Sequence, residues 1–229
     1  MSMYKAIIFD LDNTLLDYSR SELHCMKQTL AQHQLNDLVW EEFWGIFAPI
    51  NDRYWVSRNT NNHHISQVLE YSFADTLKEL NRDFSRAGSI SQTYWGLFCN
   101  SCHLEPSADR LLEQLHGRYA MGMITNGIGE AQRKRLAAGN LGHYFDSVVI
   151  SDEVGYWKPD KAIFDIALKE LDLRKHEVLF VGDSLTDDYM GAVNAGVDFC
   201  YYNRRNRMVP EHQKPKFTIG ELTELQGLL

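Results

Sequence analysis

Two carboxylates separated by one residue follow a short apolar run near the start of the sequence. The run is residues 6–9, and Asp10 and Asp12 come directly after it. A short β-rich apolar run predicts a buried strand, whose period of two places both carboxylates on one face. Like charges this close repel unless a cation lies between them or they share a proton. The pair therefore indicates a metal site, an acid–base pair or both; the alternative is a helix start, because Asp is also a good N-cap.

Two further segments place polar groups where later strands are predicted to end. Thr125 and Asn126 offer a hydroxyl and backbone N–H groups, which suit an oxyanion or a phosphate, although the same residues with a following glycine also form a common turn. Lys158 precedes a proline and is therefore restrained to extended backbone, so that its ammonium can be aimed. Each of these signals is weak alone.

A last segment supplies more carboxylates. Asp183 follows an apolar run, and Asp187 and Asp188 come about one helical turn later, so that one of them should lie beside Asp183. The carboxyl ends of the strands in an open α/β sheet are where ligands bind. We therefore expect the residues of all these segments to meet at one edge of a sheet.

The elements that must position these residues alternate between strands and helices. Short β-rich runs occupy 4–9, 119–124, 147–151, 178–182 and 197–202, and helical patterns such as 129–138 and 161–171 separate the later ones. This alternation predicts an α/β fold, a Rossmann-like parallel sheet flanked by helices on both faces.

Residues 17–105 differ from the alternating segments, because their apolar residues recur at helical spacing throughout. They predict four helices inserted after the first strand, with a loop at the Asn-rich residues 59–62 and a break or kink of the second helix at Pro49. An insert at this point is expected to lie over the carboxyl edge of the sheet as a lid. The predicted domains are a core of residues 1–16 and 106–229 and a helical insert of residues 17–105.

Composition excludes several classes of function. The 229 residues are 44% hydrophobic with a net charge of −8, which predicts a packed protein and argues against binding to nucleic acid or to an anionic membrane. The basic run 204–207 is interpreted as a solvated loop, with a phosphate contact as the alternative. No run of ~20 apolar residues or charged-then-apolar leader occurs, so we expect a cytoplasmic protein. Nothing indicates an obligate protein partner.

In chain order the segments read Asp-x-Asp-x-Thr, Thr-Asn-Gly, Lys-Pro and Gly-Asp-Ser-x₃-Asp. This combination resembles the haloacid dehalogenase-like hydrolase superfamily over the whole chain, and the helical insert is similar to the cap of that superfamily. The resemblance implies Asp10 as the nucleophile that forms an aspartyl-phosphate, and Asp12 as the acid and base. It also implies a Mg²⁺ held by Asp10, the Asp12 carbonyl and Asp183, with Asp188 holding metal-bound water or orienting Lys158.

The resemblance further implies that Thr125, the Asn126 N–H and Lys158 bind the transferring phosphoryl group. An acid at Asp12 makes the chain look like a phosphatase or a phosphomutase, because members that cleave carbon–halogen bonds usually lack it. The expected substrate is therefore a small phosphorylated metabolite.

We expect the helical insert to determine the substrate specificity. Residues 50–55, with Asn51, Tyr54 and Trp55, resemble a bacterial branch of pyrimidine 5′-nucleotidases. Asn51 is expected to hydrogen-bond a base or sugar, and Tyr54 or Trp55 to stack on a ring; the alternative is that Trp55 belongs to the core of the insert. The predicted substrate is a nucleoside 5′-monophosphate, with a sugar-phosphate phosphatase or phosphomutase as the alternative.

Overall fold

The structure, a computed structural model, describes residues 4–58, 60–61 and 63–229. The chain divides into two compact units, Met1–Arg20 with Cys102–Leu229, and Ser21–Ser101. The functional division after residues 16 and 105, into a catalytic core and a specificity cap, remains a prediction. Each unit is described by itself below.

The first unit is built on a parallel sheet, and the predicted fold class is confirmed. Within the described residues the sheet has six strands in the order β3-β2-β1-β4-β5-β6. The strands are β1 (Ala6–Phe9), β2 (Ala120–Thr125), β3 (Ser147–Ile150), β4 (Val178–Gly182), β5 (Asp198–Tyr202) and β6 (Phe217–Ile219). Strand β6 was not predicted, because a three-residue edge strand with an exposed central residue carries almost no periodic signal.

Helices account for most of the remaining described residues. They are α1 (Tyr18–Gln32), α2 (Trp40–Ser57), α3 (Ile65–Glu79), α4 (Ala87–Cys99), α5 (Ala108–Leu115), α6 (Gly129–Ala138), α7 (Ser151–Val154), α8 (Lys161–Glu170) and α9 (Met190–Ala195). No helix of the described residues is long and apolar enough to cross a membrane.

The packing of strand β1 explains why its sequence is apolar without interruption. Ile7 and Phe9 pack on one face of the sheet with leucines of α5 and α6, whereas Ala6 and Ile8 pack on the other face with residues of α8 and α9. A parallel strand covered by helices on both faces has no polar side, so every position is apolar. This central strand ends at Asp10.

The second unit contains the helices predicted for the insert. Phe47 of α2 contacts Phe73 of α3 at 5.0 Å between ring centroids, and Phe73 contacts Tyr94 of α4 at 6.1 Å. All three rings are buried. The apolar spacing of these helices therefore marks the core of a helical bundle.

Of the break or kink predicted at Pro49, the break is wrong. Helix α2 continues through Pro49 to Ser57. A proline removes one backbone donor from a helix, but the buried side chains of Phe47 and Ile50 on either side remain packed in the bundle. Asn59 and Asn62 of the predicted loop lie outside the described residues.

Candidate functional site

Three neighbouring strands bring the predicted residues to one edge of the sheet. Strand β1 pairs with β2 on one side and with β4 on the other. The loop after β1 carries Asp10, whose N–H donates to the carbonyl of Val181 in β4 at 2.9 Å. Thr125 ends β2, and Asp183 directly follows β4. The shared edge expected from the sequence is therefore present.

Lys158 lies at the centre of this edge with its side chain only 2% exposed. Its Nζ is 2.6 Å from Oδ1 of Asp10, 2.7 Å from Oδ1 of Asp188 and 3.0 Å from the carbonyl oxygen of Ile124. An ammonium group has three hydrogens, and these three acceptors match them. The ammonium is thus held in one place between two carboxylates.

Asn126 holds the backbone of Lys158. Its Nδ2 donates to the Lys158 carbonyl at 2.9 Å, and its Oδ1 accepts from the Lys158 N–H at 2.8 Å. The peptide bond between Lys158 and Pro159 is cis. Sequence reasoning gave Asn126 only a backbone role in phosphate binding and missed this use of the side chain, because no spacing rule links residues 32 positions apart.

Asp10, Asp183 and Asp188 form a cluster with one carboxylate oxygen from each within 4.8 Å of the others. Hard cations such as Mg²⁺ take oxygen ligands of this kind. Three carboxylates against the one ammonium of Lys158 leave an excess of negative charge, which a divalent cation would balance. The donor set therefore fits the implied metal.

The backbone between Asp183 and Asp188 explains which of the two later acids joins the cluster. Leu185–Tyr189 forms a wide π-helical turn, in which the N–H of Tyr189 donates to the carbonyl of Ser184 at 3.0 Å. This turn buries Asp188, whereas Asp187 stays half-buried outside the cluster. Such turns are often found at functional sites.

Asp188 is also fixed by its neighbours in the loop after β4. Its Oδ2 accepts from the N–H of Ser184 at 2.9 Å. A Cβ at Gly182 would lie 2.4 Å from the same oxygen, so the glycine leaves the room that this carboxylate occupies. The position of Asp188 is therefore set from both sides.

Burial dominates the electrostatics of the cluster. It raises the pKa of Asp10 well above its usual range, against the lowering effect of Lys158 and with the added repulsion of Asp188 and Asp183. Burial and the charge of Asp188 raise the pKa of Asp183 to about 6. Burial alone would lower the pKa of Lys158, but the two carboxylates outweigh it and the pKa is raised. The cluster thus favours binding of protons or of a cation.

Asp12 is not in this cluster, and its carboxylate contacts helix α6 instead. Oδ2 accepts from Nε2 of Gln132 at 2.8 Å, and Oδ1 is 2.6 Å from Nη1 of Arg135. The same Nε2 donates to Oγ1 of Thr125 at 2.9 Å. Sequence analysis missed Gln132 and Arg135, because a polar pair three residues apart on a helix usually indicates a solvated face.

The basic run 204–207 is exposed, as predicted for a solvated loop. Arg204 forms ion pairs with the buried Glu105 and, at 3.3 Å, with Asp17. With Arg205 and Arg207 it lines a surface pocket that Asp183 also lines. The run is therefore an exposed loop, in which Arg204 also forms an ion pair with a buried carboxylate.

The candidate specificity residues lie on α2 of the second unit. Asn51 Oδ1 accepts from Oγ of Ser72 at 3.2 Å, and the Tyr54 hydroxyl donates to Oδ2 of Asp75 at 2.7 Å. Trp55 is 42% exposed, so it does not belong to the core of this unit. The substrate roles of these residues stay predictions.

Comparison with known proteins places the chain in a family. The family profile of haloacid dehalogenase-like hydrolases matches residues 7–202. Pyrimidine 5′-nucleotidase YjjG of Escherichia coli is 31% identical over 97% of this chain and 96% of its own length. Pyrimidine 5′-nucleotidase PynA of Streptococcus pneumoniae is 28% identical over 99% of this chain and 95% of its own.

A solved structure agrees with the fold. The crystal structure of the putative hydrolase YfnB from Bacillus subtilis, bound to magnesium, superposes with a TM-score of 0.84 at 24% identity and covers 99% of each chain. The resemblance inferred from the motifs and the prediction of an enzyme are confirmed. This chain belongs to the family of haloacid dehalogenase-like hydrolases.

Proposed function

We propose that this chain is a Mg²⁺-dependent 5′-nucleotidase, which hydrolyses nucleoside 5′-monophosphates through an aspartyl-phosphate on Asp10. The observation that carries the proposal is the buried Asp10 carboxylate, 2.6 Å from Lys158 and clustered with Asp183 and Asp188. A nucleophilic carboxylate, a fixed cation and a cation site are the parts that phosphoryl transfer needs.

In the first displacement, an oxygen of the Asp10 carboxylate bonds to phosphorus while the ester P–O bond breaks. Lys158 stays between Asp10 and Asp188 and offsets the repulsion between the anionic nucleophile and the anionic substrate. The Thr125 hydroxyl and the Asn126 N–H hold phosphoryl oxygens at the end of β2. Positioning and charge stabilisation together supply most of the rate increase.

Asp12 is the proton carrier of the proposed mechanism. It donates a proton to the departing ester oxygen as that bond breaks. It then takes a proton from the water that attacks the aspartyl-phosphate, which releases phosphate and regenerates Asp10. An acid–base group of this kind contributes typically about 10²–10⁴-fold.

Asp10, Asp183 and the backbone carbonyl of Asp12 are the proposed ligands of Mg²⁺, with Asp188 in the same cluster. When bound, the ion supplies charge neutralisation for the phosphoryl oxygens. Lys158 holds the Asp10 and Asp188 carboxylates, and the Ser184 N–H also holds Asp188, so these two need little rearrangement to bind it.

Proton binding should compete with metal binding. Because the pKa of Asp183 is raised to about 6, this carboxyl is ionised above pH 6 and protonated below it. A cation must then displace a proton, so we expect the apparent Kd for Mg²⁺ or Mn²⁺ to rise about tenfold for each pH unit below 6. Calorimetric titrations from pH 5 to pH 8 measure this. A Kd that is constant from pH 8 to pH 5 would contradict it, and Asp183→Asn should weaken binding and reduce its pH dependence to the part contributed by Asp10.

Two relatives and helix α2 support the proposed substrate class. Both named relatives are pyrimidine 5′-nucleotidases. Trp55 exposes a large ring, and Asn51 and Tyr54 lie on the same helix face at i and i+3. A nucleobase is recognised by stacking and by hydrogen bonds, which these side chains offer.

Phosphate release from a panel of substrates tests the proposal. The panel contains pyrimidine and purine 5′-monophosphates, sugar phosphates and an aryl phosphate, each with Mg²⁺ and with EDTA. We expect Mg²⁺-dependent release that is highest for nucleoside 5′-monophosphates, and a rise in KM for them in Trp55→Ala. The matched control is Val56→Ala, the next exposed position on α2. Preference for a sugar phosphate would contradict the nucleotidase assignment, and no release from any ester would contradict the phosphatase assignment itself.

A further inference from the structure

We propose that Gln132 and Arg135 are positioning residues, which hold the Asp12 carboxylate in the orientation that proton transfer requires and link it to the Thr125 hydroxyl. This inference rests on the proposed function, because the role of Asp12 in proton transfer is itself proposed. Neither residue belongs to the four sequence motifs, and both lie on helix α6.

The two donors hold both oxygens of one carboxylate. Gln132 Nε2 donates to Oδ2 of Asp12 at 2.8 Å, and Arg135 Nη1 lies 2.6 Å from Oδ1. With one donor on each oxygen, the group cannot rotate about its Cβ–Cγ bond without losing both contacts. Each oxygen has two acceptor positions, so one on each remains for a substrate oxygen or a water.

The two donors are buried and the carboxylate is partly exposed, as a positioning role requires. The Arg135 side chain is 0% exposed and the Asp12 side chain is 26% exposed. Gln132 is also buried. The donors are therefore shielded from water, which strengthens their hydrogen bonds, while the carboxylate itself stays accessible to a reacting group.

Arg135 also determines which way the Gln132 amide points. Its Nη1 donates to Oε1 of Gln132 at 3.0 Å, and a guanidinium can only donate. The amide oxygen must therefore face Arg135, and the NH₂ must face Asp12 and Thr125. Both hydrogens of this NH₂ are then used, one by Oδ2 of Asp12 and one by Oγ1 of Thr125.

This arrangement gives the Thr125 hydroxyl a defined direction. Because its oxygen accepts from Gln132, its own hydrogen is left to donate elsewhere. A donor is what a phosphoryl oxygen needs at this position. Gln132 thus connects the group proposed to bind phosphate with the group proposed to move the proton.

The Gln132 side chain occupies space that is free only because residue 127 is a glycine. A Cβ at Gly127 would lie 2.2 Å from Nε2 and 2.5 Å from Cγ of Gln132. Real atoms do not approach this closely, so any other residue at position 127 would displace the Gln132 side chain. The glycine of the motif therefore serves the Gln132 contact as well as the turn.

A leaving-group comparison tests the inference. The measurement is kcat/KM for a nucleoside 5′-monophosphate, whose alkoxide needs a proton, and for 2,4-dinitrophenyl phosphate, whose phenolate leaves without one. In Gln132→Met we expect kcat/KM to fall about 10–100-fold for the nucleotide and by a clearly smaller factor for the aryl ester, because proton donation matters only for the nucleotide whereas the Thr125 contact serves both esters. Arg135→Met, which removes no contact with Thr125, should lower kcat/KM for the nucleotide and change it less than about threefold for the aryl ester. Arg135→Lys, which keeps a positively charged donor, should recover part of the loss.

The controls separate positioning from folding and from the proposed mechanism. Lys134→Met, on the exposed face of the same helix, should leave both values unchanged. Equal losses on both esters in Gln132→Met, at an unchanged unfolding midpoint, would overturn the inference. Gln132→Met removes no charge and keeps the test valid if Arg135→Met does not fold. If Asp12→Asn also lowers both esters equally, the proton-carrier role fails, and the proposed mechanism and the inference fall together.

Discussion

Replacing Asp10 with asparagine is expected to abolish phosphate release, with kcat lowered by at least about 10⁴-fold, as for other nucleophile removals. Asparagine has the same shape but its amide oxygen is a far weaker nucleophile. The fold should persist, because Lys158 keeps its contacts with Asp188 and with the Ile124 carbonyl. Phosphate release and thermal unfolding of the same preparation measure the two effects.

The unfolding temperature in EDTA gives this prediction a second readout. The pKa of Asp10 is raised above its unfolded value by burial, so its charged form weakens the folded state at neutral pH. Removal of that charge should leave Tm unchanged or higher. Asp165→Asn, an exposed change on α8, is the matched control and should alter neither readout. Asp10 is not the nucleophile if Asp10→Asn retains more than about 1% of activity.

The central part of this site could be predicted from the sequence because it depends on local pattern. Uninterrupted apolar runs mark strands that are buried on both faces, and the residue after each run lies at the carboxyl edge of the sheet. Asp10, Thr125 and Asp183 were placed in this way, and strand order brought them together. The position of Lys158 could not be predicted from local pattern alone, because it depends on the side chain of Asn126, 32 residues away.

What could not be predicted depends on contacts that leave no periodic signal. Spacing alone leaves Asp187 and Asp188 equivalent, and only the family resemblance favours Asp188. The π-helical turn is what brings Asp188 to Lys158. Gln132 and Arg135 look like ordinary helix-surface residues, and only the structure shows that both are buried against Asp12. At Pro49 the predicted break is absent, since bundle packing outweighs one missing hydrogen bond.

Lys158→Met is expected to give the largest loss of stability of any single change at this edge. It leaves Asp10 and Asp188 as buried, adjacent carboxylates without their shared cation. Removal of one partner from a buried ion pair typically costs about 3–5 kcal/mol. We expect a loss of this size in urea unfolding at pH 7.5 in EDTA, together with loss of phosphate release. Lys161→Met, an exposed lysine three residues later, should change the free energy of unfolding by less than about 0.5 kcal/mol.

The cause of this loss is electrostatic, and three further measurements follow from that. Asp188→Asn added to Lys158→Met should restore stability, because one of the facing charges is gone. The variant should be more stable in Mg²⁺ than in EDTA, because a cation that binds only the folded state adds to its stability. The loss should also shrink as pH falls from 7.5 to 5, since the raised pKa values of the buried carboxyls let the folded state take up protons first. If the loss is the same at both pH values and Asp188→Asn does not reduce it, Lys158 stabilises the fold by packing, and charge balance is not what holds this edge of the sheet together.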